Sequence, residues 1–208
     1  MRAAIAGTVA VRAADPTARL LAAEPLIHVA SGSPRPAARR AAATFHAYQF
    51  EALDLLSGRL EPELGGDPGC LDVVGLNYYP DNQWYHRGAT IPLGHHAYRP
   101  LHSLLAEAHA RYDRPLLIAE TGAEGSARPA WLHYVCGEVQ AAQAAGVPVG
   151  GICLYPVLDY PGWDEARICE VGLFSMPDAE GQRRQHAPLA AELARQQAMF
   201  AAAEAGAA

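Results

Sequence analysis

The chain contains no lysine; all 16 of its basic residues are arginine. It also carries 43 alanines, and both features read as the coding bias of a GC-rich genome rather than as a functional signal. Charged residues make up only 18%, with 22 acidic side chains and a formal net charge of -6. No basic run offsets that balance, which excludes an electrostatic nucleic-acid binder. No apolar stretch approaches the roughly 18 residues that a membrane span needs. Cysteine is sparse: Cys70, Cys136, Cys153 and Cys169 are widely spaced and form no CxxC pair. That pattern fits buried or half-buried thiols in a reducing cytoplasm, not a disulfide framework or a zinc site. Residues 1–10 start like a weak secretion signal, but Arg12 and Asp15 break the apolar stretch. The expected location is therefore cytoplasmic.

What is present is enough chain for one packed domain. Half of the 208 residues are hydrophobic. After an uncapped helical stretch over 3–14, short apolar strands alternate with helices. The first strand reads over 19–24 and runs on to Val29. A helix follows over 37–56, stopped at Gly58. The second strand reads over 71–79, between a Gly- and Pro-bearing turn and Pro80. A polar loop rich in aromatics and histidines fills 81–98, and a helix fits 100–111. The third strand is 115–120, its helix about 130–145 with Gly146 as the stop, and the fourth strand 149–155. The last helix starts near Pro188 and is expected to fray over 201–208, leaving 1–200 as the single domain.

The strands are almost wholly apolar, as parallel strands covered on both faces are. Their C-terminal ends collect Asn77, Tyr79, Glu120 and Tyr155, the end at which α/β enzymes place their chemistry. A (β/α)8 barrel needs eight strands and about 250 residues, so this α/β chain supplies about four βα units, half of one.

Three motifs then point in one direction. The strand 116–120 ends in Glu120-Thr121-Gly122. The strand 71–79 ends in Asn77-Tyr78-Tyr79. Residues 151–173 carry Tyr155, Asp159, Trp163 and Gly172-Leu173 in one register. Together they resemble the seventh, sixth and eighth strand ends of family 1 glycoside hydrolases, the β-glucosidase type. Glu24-Pro25 with Ala37, Ala38, Arg39, Arg40 and Phe45 resembles that family's fifth strand and helix. The resemblance implies the C-terminal half of a TIM barrel and hydrolysis of O-glycosyl bonds with retention. It implies Glu120 as nucleophile, with Tyr79 donating a hydrogen bond that tunes and orients it. It further implies Asn77, Tyr155, Asp159 and Trp163 as sugar-binding residues, a β-glycoside as substrate, and neither cofactor nor metal.

A retaining glycosidase sets two carboxyl groups about 5–5.5 Å apart, one attacking and one donating a proton. The sequence departs from the family on the second. No Asn-Glu-Pro motif stands in the acid/base position, and Glu24-Pro25 only imitates it locally. Gly162 stands where the family keeps a glutamate for outer sugar hydroxyls, which leaves the sugar open. The absence of lysine argues against phosphorylated sugars. His86, His95, His96 and His102 read as surface histidines, since none makes an i, i+4 pair with a carboxylate. The rival reading is a non-catalytic half-barrel, a carbohydrate-binding or assembly module. Such a piece would leave strand edges open to self-association or to a separate N-terminal half-barrel. A small α/β hydrolase or transferase is disfavoured, because neither GxSxG nor a phosphate loop is present.

Overall fold

A computed structural model of the chain describes residues 1–164 and 166–207. Helix α1 spans Arg2–Ala14, strand β1 Leu21–Pro25, β2 His28–Ala30, helix α2 Pro36–Ala47 and α3 Glu51–Leu56. Strand β3 (Val73–Asn77), β4 (Gln83–Tyr85), helix α4 (Leu101–Tyr112) and β5 (Leu116–Thr121) follow. Helix α5 (Arg128–Ala144), β6 (Val149–Leu154), the two-residue strands β7 (Tyr160–Pro161) and β8 (Ile168–Cys169), and α6 (Ala187–Ala207) complete the chain.

Strands β1, β3, β5 and β6 form one parallel sheet in that order. Each pair is joined through a helix, which gives four βα units of a half-barrel. Alternation along the strands assigns the two faces. Val74, Leu76, Leu116 and Ile118 turn toward the helices and are wholly or almost wholly buried. There they meet Leu101, Leu104, Leu105 and Ala108 of α4 and Val135 and Val139 of α5 in one core. The opposite face is thinly covered: Leu21 stays 44% exposed. Small residues line it, and a Cβ on Gly75 would stand 2.8 Å from Leu21.

Local chemistry explains the boundaries. Pro36 opens α2 at a position whose amide needs no partner. Helix α4 ends at Asp113 in the left-handed region, with His109 and Arg111 in the last turn facing the negative end of the dipole. Helix α1 is fastened by Arg12, which donates to Asp72 at 2.7 Å; the same carboxylate accepts from the Leu20 amide at 2.7 Å. These bonds hold the Asp72 carboxyl below its usual range, the Leu20 bond being the largest cause.

Three expectations change. The first strand is not continuous to Val29. It stops at Pro25, Leu26 turns into the core, and β2 pairs instead with β4 in a second small parallel sheet. The polar loop over 81–98 therefore contains a strand. The helix over 37–56 is broken by a 3-10 turn at Tyr48–Phe50, which drops the Phe50 ring into the core. At the C-terminus, α6 stays helical to Ala207 across the stretch expected to fray; Ala208 lies outside the described residues. Among the described residues, no helix is long and apolar enough to cross a membrane.

Candidate active site

The site is assembled where β3 and β5 end side by side. Asn77 pairs in register with Glu120, after a slip in the ladder beyond Leu76. Ile118 and Thr121 are both fully buried on the helix side, although strict alternation over three residues would oppose them. The irregular register absorbs the difference and leaves Glu120 on the thinly covered face with Asn77.

Thr121 is the latch. Its hydroxyl donates to the Tyr78 carbonyl at 2.7 Å and accepts from the indole Nε1–H of Trp131 at 2.9 Å. The Tyr78 amide donates to the Glu120 carbonyl at 2.9 Å, and the Tyr155 amide donates to the Thr121 carbonyl at 2.8 Å. The end of β5 is thus tied to β3 on one side and to the end of β6 on the other. Gly122 follows because a Cβ there would sit 2.1 Å from the Tyr155 carbonyl oxygen. The Glu-x-Gly spacing is therefore a packing requirement as well as a motif.

Tyr79 donates its hydroxyl to Glu120 Oε2 at 2.8 Å. Burial pushes the Tyr79 phenol above its usual range, and the bond to Glu120 adds to that. The phenol is therefore a fixed donor and never a base near neutral pH. Asn77 Oδ1 is buried and has no hydrogen-bond partner among the described residues. It is an acceptor with unused capacity next to Glu120.

The remaining expected residues are placed differently. Tyr155 lies beyond the end of β6 and is 41% exposed. Trp163 is 87% exposed, in the segment between β7 and β8. Asp159 is buried and accepts from the Gly172 amide at 2.7 Å, with Arg128 3.7 Å away. Its carboxylate pins its own loop. Glu24 stands in register with Leu76 and shares the helix-side face, turned away from Asn77 and Glu120. It does not complete a carboxylate pair with Glu120.

A polar network supports the site from behind. Gln83 is fully buried. Its amide nitrogen donates to the Tyr78 hydroxyl at 2.8 Å and to the Arg99 carbonyl at 2.7 Å, and its oxygen accepts from the Arg99 amide at 2.9 Å. Tyr78 in turn stacks on Trp131, ring centres 5.6 Å apart. Thr121, Trp131 and Gln83 were not among the expected site residues. Only Thr121 was flagged by position, as the middle of the Glu-x-Gly motif.

No protein-family model matches the sequence, and no curated protein matches it. Solved structures do match. A family 1 β-glucosidase from Thermotoga maritima superposes with a TM-score of 0.73 at 15% identity, over 94% of this chain and 54% of that one. A rice β-glucosidase variant in a covalent complex with Glc gives 0.70 at 17%, over 91% and 54%. A hyperthermophilic β-glucosidase mutant gives 0.67 at 18%, over 91% and 46%. The likeness establishes the fold: a half-barrel of the β-glucosidase TIM-barrel kind. The chain spans about half the length of these structures.

Proposed function

We propose that the chain carries the nucleophile side of a retaining β-glycosidase acting on O-glycosyl bonds. The observation that carries this reading is the 2.8 Å bond from Tyr79 to Glu120 at the C-terminal end of a parallel half-barrel sheet. In this reading Glu120 attacks the anomeric carbon, the glycosidic C–O bond breaks as the aglycone leaves with the electron pair, and the resulting glycosyl-enzyme ester is then hydrolysed by water. Tyr79 holds the attacking carboxylate in one orientation, which keeps the reacting atoms aligned. The unpartnered oxygen of Asn77 accepts from a sugar hydroxyl. Tyr155 and Trp163 offer exposed rings to the apolar side of a pyranose. The four free cysteines accord with a reducing cytoplasm as the place of action.

The proton donor is not supplied by Glu24, which faces the helices. General acid catalysis contributes about 10² to 10⁴ in rate. The chain alone should therefore react with activated glycosides whose leaving group needs no proton, and hydrolyse natural ones poorly. Among the described residues, the two outer strands, β1 and β6, each have an unpaired edge. Those edges favour the second reading, in which self-association or a separate half-barrel completes the sheet and this chain serves as a binding or assembly module.

The test is intact mass after incubation with an activated 2-fluoro β-glycoside, beside Glu120→Gln. A stoichiometric adduct on the native chain alone supports the nucleophile. Labelling that persists in Glu120→Gln refutes it. A folded chain that takes no label moves the weight to the binding-module reading.

A further inference from the structure

Tyr79 lies two residues beyond the end of β3, where the ladder no longer dictates the direction of its ring. Among the described residues, its one main-chain hydrogen bond is with Asn82, whose amide donates to the Tyr79 carbonyl at 3.1 Å. That bond closes the four-residue turn 79–82, with Pro80 at the second position, which the fixed φ of proline suits. The Asn82 side chain ties the turn to the sheet. Its amide nitrogen donates to the Asn77 carbonyl at 3.0 Å and to the Leu26 carbonyl at 2.8 Å. The Leu26 amide donates to the same Asn77 carbonyl at 2.9 Å, so both lone pairs of that oxygen are used. The Asn82 carbonyl in turn accepts from the His28 amide at 2.9 Å. One residue thus joins the end of β3, the chain leaving β1 and the start of β2.

The residue type is dictated by these partners. Two carbonyls can be served only by an NH2 group, which fixes the orientation of the amide. The isosteric aspartate would set an acceptor against two acceptors. The two residues that Asn82 clasps are the two that flank Glu120: Asn77 is paired with it in register, and Tyr79 donates to it at 2.8 Å. The Thr121 hydroxyl and the Gln83 amide both bond to Tyr78, and neither bonds to Tyr79. We propose that Asn82 is a positioning residue for the nucleophile, aiming the Tyr79 hydroxyl at Glu120 by clasping Asn77 and Tyr79 in a single turn. Its kinetic consequence rests on the glycosidase reading of Glu120; the clasp itself does not.

The experiment is a double-mutant cycle on the full chain, Asn82→Asp with Tyr79→Phe. It reads the rate constant and the half-saturating concentration for labelling by the activated 2-fluoro β-glycoside. Asn82→Asp alone should lower the rate constant about tenfold. In the Tyr79→Phe background it should lower it less than about twofold, because the hydroxyl it aims is already gone. Losses that multiply, or no slowing by Asn82→Asp, would overturn the proposal, since a residue that serves only the fold has no reason to act through one hydroxyl. Should Asn82→Asp fail to fold, Asn82→Ser takes its place in the cycle, with the same non-additivity expected. Independently of labelling, the carbon-13 resonance of Tyr79 Cζ, assigned by its loss in Tyr79→Phe, reports the bond to Glu120. Glu120→Gln should move that resonance in the native chain and leave it still when Asn82→Asp is also present. A native chain that takes no label defeats the glycosidase reading and leaves the resonance to decide. Equal movement in both backgrounds overturns the role of Asn82.

Discussion

The two faces of the central sheet are made from the same four strands and do opposite work. On the helix side, Val74, Leu116 and Ile118 are fully buried against α4 and α5. On the other side, Leu21 is 44% exposed, glycines replace larger residues, and Glu120, Asn77 and Tyr79 gather at one end. The packed core lies on one face and the candidate site on the other, and the side-chain period of two makes that division possible. The irregular register near Glu120 is the one place where the division is crossed. There a residue from the core side, Thr121, anchors the strand end that carries Glu120.

The largest contrast is expected from truncating each face in turn. Leu116→Ala should cost about 2–5 kcal/mol by urea denaturation, whereas Leu21→Ala should cost under about 1 kcal/mol. Equal costs would mean that the inner face is covered in solution, which would favour an assembled barrel. Next, Thr121→Val removes the acceptor of Trp131 and the donor to the Tyr78 carbonyl. Leaving those groups unpaired should cost about 1–3 kcal/mol and should slow labelling of Glu120 as well. Stability loss without slower labelling would show that the latch serves only the fold.

Tyr79→Phe should do the reverse. The melting point should stay nearly unchanged, because the hydroxyl is only half buried, while labelling slows about tenfold, the equivalent of about 1.4 kcal/mol. The smallest effect is acidic. The Glu107 carboxyl bonds to His46 at 3.0 Å and Arg99 at 2.7 Å. The His46 bond, followed by the Arg99 bond, brings its pKa down from 4.5 to about 2. A lowered folded-state value adds stability above pH 4.5 and loses it as pH falls toward about 2. Glu107 is one-third exposed, so the gain is modest. Glu107→Gln should flatten the pH dependence of the denaturation midpoint in that window.

Much of this was legible because it is local. The strands at 115–120 and 149–155 and the helices near 100–111 and 130–145 are strongly patterned segments flanked by proline or glycine, and they appear within a residue or two of their expected bounds. The break at Leu26 was not legible, since an apolar run looks the same whether one strand continues or turns inward. Strand β4 was hidden for a similar reason: Gln83–Tyr85 pairs with His28–Ala30, more than fifty residues earlier, and nothing local marks a three-residue strand. The bond that Asp159 accepts from the Gly172 amide was not legible either, since a carboxylate in a motif register reads alike whether it faces a ligand or a backbone amide.

The sequence by itself determined the class of fold and the order of its units. Those follow from periodicity, turn residues and motif spacing, which need no partner distant in the chain. Only the tertiary structure decided which face each residue occupies: Glu24 toward the helices and Glu120 beside Asn77. Facing depends on register and irregularities in the ladder, and a shift of a single residue inverts it.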